Sequence, residues 1–331
     1  MLIKPADDRQ PQIAALEALL GRSDVQAATR RRIEQEIRLV RAGAAGERDA
    51  AYEIEFVYGA NPNRMTIHDL RIELDGRVAQ FDHLILNRYL DIWVCESKHF
   101  SDGVAINEHG EWVALYGTRA IGIPSPVEQN RRHLAVLGDV FAQGLVRLPK
   151  RLGMTIHPRI DALVLISNGA RISRPEGRAA RHVDGLDTVI KVDQLRATVE
   201  KALDRKSPVA LRSLVGRGTL ETVARDLVAL HRPAHVDWAA RFGLPPTPPP
   251  TAMEVPVRRP TAPGDPAWQP APQRGPDASE RGPGRPVCAR CGRSVSGSVV
   301  AYCELHAAWF GGATYCVSCQ KQVGRSGRGD A

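Results

Sequence analysis

The chain lacks any long apolar run. No stretch approaches the roughly 18 uncharged apolar residues that a membrane helix requires, and the N-terminal residues MLIKPADDRQPQ contain no apolar segment of a signal peptide. Residues 1–287 contain a single cysteine, Cys95. These absences predict a cytoplasmic protein without a membrane segment, and in that reducing compartment they argue against a disulfide framework.

Acidic residues are fewer than basic ones. The 331 residues include 45 Lys and Arg against 37 Asp and Glu, a formal net charge of +8, and the pI is near 9.4. Residues 245–331 contribute ten Lys and Arg against six Asp and Glu, which is half of the excess. Net charge concerns association rather than fold, and this sign favours an acidic partner such as nucleic acid.

Apolar side chains become scarce between residues 245 and 286, which hold 14 of the 24 prolines. This composition predicts an extended, semi-rigid linker. The hydrophobic content of the whole chain, 43%, suffices for one sizeable domain and a smaller one. The predicted organisation is an N-terminal helical region (1–40), a main domain (41–205), a helical extension (206–244), the linker (245–286), a cysteine module (287–323) and a Gly/Arg tail (324–331).

The periodicity of the main domain predicts an α/β fold with a mixed sheet. Residues 10–42 have the spacing of a helical pair, and a third helix is expected over residues 45–56. Three strands follow, in TIHDLRIEL, RVAQFDHLIL and LDIWVCES, and then glycine-rich and polar residues lead to a helix that starts at Ser125-Pro126. The apolar run RIDALVLISN is typical of a strand buried on both faces, and a short strand in DTVIKV and a helix in DQLRATVEKAL complete the sheet. Hairpin strands followed by a helical crossover indicate helices on both faces of this sheet.

Three charges stand at the ends of two of these core strands. Asp82 precedes the apolar residues of the second strand, and Glu96 and Lys98 end the third strand, on one face because strand side chains alternate. Buried carboxylates need a cation or a metal ion, and two carboxylates beside a lysine are what a metal-dependent phosphodiesterase requires. The alternative is that a short E-x-K pattern merely ends a strand with solvated charges.

Two further polar residues fit the same chemistry. Glu47 shares a helical stripe with Ala50, Ala51 and Ile54, which turns an acid towards the core. Gln129 lies in the first turn after Ser125, where a helix N-terminus favours a nearby phosphate. A solvated helix glutamine is the alternative for Gln129.

In their order, these residues resemble the nuclease-related domain (NERD), a branch of the PD-(D/E)XK nuclease superfamily. The resemblance rests on Glu47 in AGER, Asp82 in QFDH, Glu96 and Lys98 in VCESK, and Gln129 in PVEQN, within residues 41–200. It implies an αβββαβ core and Mg²⁺-dependent cleavage of DNA or RNA. The name-giving proline before the first aspartate is replaced by Phe81.

The resemblance also implies roles for these side chains. Asp82 and Glu96 would be ligands of Mg²⁺ or Mn²⁺, Lys98 would orient water or neutralise charge, Glu47 would be a ligand or support one, and Gln129 would contact a phosphate or the active site. Nearby, His83 and His99 are expected to be rim histidines without a role, and Cys95 to fill the core.

The cysteine module has the most specific pattern in the chain. Cys288-x2-Cys291 and Cys316-x2-Cys319 are two knuckles 24 residues apart, which is near the spacing of four-cysteine zinc ribbons. A segment this short needs a structural metal to fold. Cys303 and His306 remain an alternative pair of ligands or a second partial site.

The sequence therefore predicts a metal-dependent nuclease that acts on DNA in preference to RNA. The zinc module would assist nucleic-acid binding through neighbouring basic residues, or bind a protein partner. The rival hypothesis is a non-catalytic nucleic-acid-binding or scaffold protein that retains the fold.

Overall fold

The computed structural model describes residues 1–206, 213–246, 286–295, 297–305 and 310–320. The chain divides into two compact units, Met1–Val236 and Asp237–Ala331. Most of the predicted linker and the Gly/Arg tail lie outside the described residues. None of the helices in the described ranges combines the length and the apolarity that a membrane crossing needs.

The first unit holds a six-stranded, a four-stranded and a two-stranded sheet (Lys150–Arg151 with Met154–Thr155) and the longer helices. Its helices are α1 (Gln10–Leu20), α2 (Ala27–Tyr58), α3 (Pro126–Ala142), α4 (Gly177–Ala180), α5 (Leu195–Asp204) and α6 (Arg217–Ala229). Its strands are β1 (Leu2–Lys4), β2 (Arg64–Leu74), β3 (Arg77–Asn87), β4 (Asp91–Lys98), β5 (Gly103–Ile106), β6 (Trp112–Tyr116), β7 (Arg119–Ile123), β8 (Lys150–Arg151), β9 (Met154–Thr155), β10 (Arg159–Ile166), β11 (Arg171–Ser173) and β12 (Val189–Lys191). Short 3-10 turns stand at Leu186–Thr188 and Val192–Gln194. The second unit contains α7 (Trp238–Arg241) and α8 (Gly297–Leu305).

A six-stranded mixed sheet forms the centre of the first unit, in the order β1-β2-β3-β4-β10-β12. Strands β2, β3 and β4 pair antiparallel through short turns, the first at Asp75-Gly76, where both residues have positive φ. The crossover through α3 makes β10 parallel to β4. The order α2, β2, β3, β4, α3, β10 is the predicted αβββαβ arrangement, and the predicted fold class is confirmed.

Apolar side chains cover both faces of this sheet. One core joins β2, β3 and β4 to α3 and α6, and the other joins β3, β4 and β10 to α2 and α5. Leu220, Val223 and Leu227 of α6 are buried in the first core, so the helical extension is integral to the sheet packing. Burial on both faces explains why β10 reads as a continuous apolar run.

The N-terminal helices differ from the prediction, because α2 is one continuous helix of 32 residues where a break and a third helix were expected. Gly43 and Gly46 lie in its middle, but glycine costs only about 1 kcal/mol in a helix, and buried residues on both sides repay that cost. Gly46 also permits a close approach: a Cβ there would lie 2.6 Å from the Cβ of His99. The helix therefore runs directly past the end of β4.

A second sheet was missed by the sequence analysis. Strands β5, β6 and β7 form it with β11, in the order β11-β5-β6-β7, within the segment that was expected to be a connection. Val104, Ile106, Trp112 and Ala114 are its buried side chains. The strands have three to five residues each, which is too short for a clear alternating pattern.

Candidate functional site

The predicted site forms where β3 and β4 stop pairing. The last hydrogen-bonded pair is His83 with Cys95, so Asp82 and Glu96 are opposite one another just beyond it. Asp82 Oδ2 replaces the missing backbone contacts, because it accepts hydrogen bonds from the backbone N and the Oγ of Ser97, at 2.8 and 2.9 Å. Burial raises the pKa of Asp82, and the Ser97 hydrogen bonds and the charge of Lys98 oppose that rise.

Glu96 is a buried carboxylate held by a lysine. It is 2% exposed, and its Oε1 accepts a hydrogen bond from Lys98 Nζ at 2.7 Å. The other oxygen, Oε2, has no hydrogen-bond partner. Burial, and next the negative charge of Asp82, raise the pKa of Glu96 to about 8 despite the ion pair with Lys98.

Helix α3 brings two more polar side chains to this carboxylate. Ser125 caps the helix, with Oγ accepting from Glu128 N at 3.3 Å, and Pro126 occupies the first turn. Gln129 Oε1 then accepts a second hydrogen bond from Lys98 Nζ at 3.2 Å. One turn later, His133 Nδ1 lies 3.7 Å from Glu96 Oε2, and neither atom has a hydrogen-bond partner.

Helix α2 contributes Glu47 from the opposite side. Arg9 Nη2 donates to Glu47 Oε2 at 3.3 Å and also lies 3.0 Å from Asp69 Oδ2. Burial raises the pKa of Glu47 to about 7, and the charges of Asp82 and Asp69 add to the rise while Arg9 opposes it. These mutual charge effects mean that Glu47, Asp82 and Glu96 share one electrostatic environment.

Asp69 is an acid that the sequence analysis missed. Pairing of β2 with β3 runs from His68–His83 to Leu70–Phe81, which puts Asp69 opposite Asp82. The φ of Asp69 is +52°, and the strand alternation is reset there, since Ile67 and Leu70 pack in the same core although they are three residues apart. The available signal was an acid inside the apolar run TIHDLRIEL, because a charge in mid-strand breaks the period of two.

All five predicted residues of this site are thus gathered at one place, while the roles assigned to them stay predictions. Among the neighbours, His99 is exposed, and Cys95 is fully buried, which raises the pKa of its thiol. His83 was expected on the rim and is instead 1% exposed. Its Nδ1 lies 2.8 Å from His68 Nδ1, because the two histidines are paired across β2 and β3 and therefore face the same side of the sheet. His133 was also missed, although its position four residues after Gln129 puts both on one helix face.

The donor set at this site fits a divalent cation. Carboxylate oxygens are the ligands that Mg²⁺ and Mn²⁺ prefer, and the free Oε2 of buried Glu96 is an acceptor that lacks a donor. Burial, and next the repulsion among the acids, raise the pKa values of Glu47 and Glu96, and a positive charge at the site would oppose both effects. Among the described residues, the carboxylate oxygens of this site do not come close enough for three of them to hold one ion. Mg²⁺ usually binds one or two carboxylates and keeps water or substrate oxygens as its other ligands.

The four predicted cysteine ligands converge in the second unit. The sulfur atoms of Cys288, Cys291, Cys316 and Cys319 all lie within 4.8 Å of one another, and Cys291 Sγ is 3.6 Å from Cys316 Sγ. Tetrahedral zinc with bonds of about 2.3 Å would separate sulfurs by a similar distance, so this cluster is compatible with a zinc module. Burial opposes ionisation of Cys288, but backbone hydrogen bonds at Cys316 and Cys291 outweigh it and lower its pKa to about 6.

The knuckles are built by backbone contacts. Gly292 N donates to Cys288 O at 2.9 Å, and the φ of Gly292 is +69°, a conformation that glycine adopts without strain. Cys303 lies outside the cluster: its Sγ accepts from Tyr315 N at 3.4 Å and from Gln320 Nε2 at 3.2 Å. These contacts favour a packing role for Cys303, and His306 lies outside the described residues.

The fold and the site define an α/β domain with carboxylates and a lysine where its central strands β3 and β4 stop pairing; Asp82 lies in mid-strand of β3 rather than at a strand end. Residues 42–167 match the family model described as the nuclease-related domain. This match confirms, for these residues, the resemblance seen in the sequence. The matched segment includes Glu47, Asp82, Glu96, Lys98 and Gln129. Searches of curated proteins and of solved structures give no match.

Proposed function

We propose that this protein is a metal-dependent nuclease that hydrolyses phosphodiester bonds, with Mg²⁺ or Mn²⁺ as cofactor and DNA preferred over RNA. The observation that carries the proposal is the buried Glu96 carboxylate, which Lys98 holds through one oxygen while the other has no partner, within a nuclease-related domain. A protein without chemistry at this place has little reason to keep such a group, because an uncompensated buried carboxylate is costly.

Asp82 and Glu96 would hold the divalent ion through Asp82 Oδ1 and Glu96 Oε2, since Ser97 and Lys98 occupy their other oxygens. A bound ion there would activate a water molecule and offset negative charge on the scissile phosphate. Lys98 fixes the Glu96 carboxylate and presents a positive charge to the reacting group. Gln129 holds the Lys98 amine from the other side, which limits its rotamers.

The surface beyond these residues suits a polyanion. Strand β10 ends at Ile166, which pairs with Lys98, so the chain that follows leaves the sheet at the same end as the site. Residues 167–188 of that segment carry exposed arginines at positions 171, 174, 178 and 181, against the acids Glu176, Asp184 and Asp187. Phosphate groups bind to such arginines largely without regard to sequence.

For the second unit we propose one structural Zn²⁺, held by Cys288, Cys291, Cys316 and Cys319. The module would raise the local concentration of nucleic acid near the nuclease-related domain through a proline-rich tether. A protein partner is the alternative ligand of the module. The unbridged cysteines suit a reducing compartment, and we propose the cytoplasm as the place of action.

The test is incubation of the purified full chain with single-stranded and double-stranded DNA and RNA, in Mg²⁺, Mn²⁺ or EDTA. We expect divalent-ion-dependent cleavage, faster on DNA, that disappears in the Glu96→Gln variant. Faster cleavage of RNA would reverse the proposed substrate preference and leave the proposed nuclease activity in place. Binding of nucleic acid without cleavage under every metal condition would favour the non-catalytic alternative.

A further inference from the structure

A single guanidinium nitrogen bridges two acids at the edge of the proposed active site. Arg9 Nη2 lies 3.3 Å from Glu47 Oε2 and 3.0 Å from Asp69 Oδ2. The three side chains are shielded from solvent, with exposed fractions of 18% for Arg9, 27% for Glu47 and 5% for Asp69. Burial alone would lower the pKa of Arg9, but the two carboxylates outweigh it and raise the pKa above its ordinary value.

The N-terminal segment fixes this bridge in place. Gln80 Nε2 donates to Asp69 Oδ1 at 2.8 Å, and Asp7 N donates to its Oδ2 at 3.3 Å. Lys4 Nζ donates to the carbonyl oxygen of Asp69 at 2.9 Å, which supports the positive φ of that residue. These hydrogen bonds fix the position of Asp69. Its ion pair with Arg9 in turn holds the guanidinium group next to Glu47.

Arg9 lies outside the segment that matches the nuclease-related domain, which begins at residue 42. The chain before that segment thus delivers a permanent cation to the acidic cluster. Arginine keeps its charge at every accessible pH, and its planar group can satisfy two carboxylates at once. A pair of shielded acids without it would repel one another and attract a metal ion instead.

We infer that Arg9 occupies the place of a second cation at Glu47 and Asp69, so that the site takes one divalent ion, at Asp82 and Glu96. This inference rests on the proposed function. Arg9 is then a positioning residue: its hydrogen bond holds the Glu47 carboxylate in place beside the ion, and it does not touch the substrate. Charge at this position, rather than the shape of the side chain, decides how many ions bind.

The experiment counts Mn²⁺ ions bound per zinc-loaded full chain by electron paramagnetic resonance. We expect one ion in the unaltered chain and in Arg9→Lys, where the amine supplies the charge, and two ions in Arg9→Met. The matched control is Arg41→Met, which removes an exposed ion pair with Glu17 between α1 and α2 and should leave one ion. Cleavage should fall about 10- to 100-fold in Arg9→Met, recover in part in Arg9→Lys and stay unchanged in Arg41→Met.

Circular dichroism melting of each variant verifies that the fold is kept. One bound ion in folded Arg9→Met, whatever its activity, would overturn the inference and leave the proposed nuclease intact. If Arg9→Met does not fold, two ions in Arg9→Lys would overturn the inference and one ion would support it. Asp82→Asn, with Arg9 unaltered, should bind no Mn²⁺. Binding of Mn²⁺ by this variant would overturn the proposed metal site and, with it, this inference.

Discussion

Lys98 Nζ lies 2.7 Å from Oε1 of Glu96, and this contact makes a charge at the end of a core strand tolerable. The two residues are two positions apart on β4, so the pleat turns both side chains to one face. The pair leaves Glu96 Oε2 without a donor. Buried acceptors normally have a donor, and this unpaired oxygen is the atom that we propose a divalent ion would use.

We expect loss of cleavage when any of the three central charges is removed. Asp82→Ala, Glu96→Ala and Lys98→Ala should each lower the cleavage rate by about 100-fold or more, because each removes fixed charge from the reacting centre. Folding should survive, and in EDTA the melting temperature of the acid variants should rise, since burial and mutual repulsion make the charged forms of Asp82 and Glu96 unfavourable despite their hydrogen bonds. The control is Glu73→Ala, an exposed acid of β2. Full Mg²⁺-dependent activity of folded Glu96→Ala would refute the assignment.

Gln129→Leu should lower the turnover rate about tenfold, because it removes a hydrogen bond to the charged Lys98 amine. Nucleic-acid affinity should change little, since Gln129 acts here through Lys98. Steady-state kinetics separate the two effects. The control is Gln143→Leu. Gln143 follows the last turn of the same helix, and its amide donates a hydrogen bond to the exposed Asp75. A large loss of affinity in Gln129→Leu would point to direct substrate contact.

His68 should make the fold sensitive to acid. It is 0% exposed, and burial, followed by the neighbouring His83 and Lys4, lowers its pKa well below 6.5. The unfolded chain therefore binds more protons than the folded one below pH 6.5, so stability is present above that pH and is lost below it. Between pH 7.5 and 5.5, one such histidine contributes a loss of about 1.4 kcal/mol.

The measurement is urea unfolding at the two pH values. His68→Gln should lose less stability on acidification than the unaltered chain, by about that amount. His83 and the nearby Glu55 also face the ring. The remaining pH dependence should combine a loss of stability from His83, whose pKa burial lowers to about 3, with a gain on acidification from Glu47 and Glu96, whose pKa values are raised to about 7 and about 8. His109→Gln serves as the control because its side chain is 74% exposed. An unchanged pH dependence in His68→Gln would show that this ring is solvated.

Elemental analysis of the purified protein should find about one zinc ion per chain, because Zn²⁺ in structural sites prefers four tetrahedral ligands such as these cysteine thiolates. The cysteine module should unfold when a strong chelator removes the metal, since a segment this small takes most of its folding free energy from binding. Cys291→Ser should strongly lower the amount of zinc retained. Cys303→Ser should retain zinc, because the Cys303 sulfur accepts hydrogen bonds from Tyr315 and Gln320 and lies outside the cluster. Equal zinc loss in both variants would make Cys303 a ligand.

A chain that ends at Leu244 should keep the nuclease-related domain folded, since the unit Met1–Val236 has its own apolar cores. Its affinity for nucleic acid should fall and its salt dependence should become shallower, because basic contacts are removed. Binding titrations at several salt concentrations test this. An unchanged affinity and salt slope would favour a protein partner for the cysteine module.

Several features of the site could be read from sequence because they depend on neighbours along the chain. The alternation in VCESK puts Glu96 and Lys98 on one face, and Ser125-Pro126 fixes where α3 begins and hence where Gln129 lies. The continuity of α2 was missed because two glycines lower helix propensity locally, while its stability comes from packing against α1 and the sheet. The strands of the second sheet were missed because three to five residues are too few to show an alternating pattern.

The sequence by itself determined the α/β class, the order of the elements and the two cysteine knuckles, because periodicity, turn residues and ligand spacing are local properties. Only the tertiary structure decided which distant groups meet: Arg9 with Asp69, Asp69 opposite Asp82, and His133 beside Glu96. These contacts depend on strand register and on the reset of alternation at Asp69. Register is a property of two strands together, since a shift of one residue exchanges the faces of a strand, and it cannot be read from either strand alone.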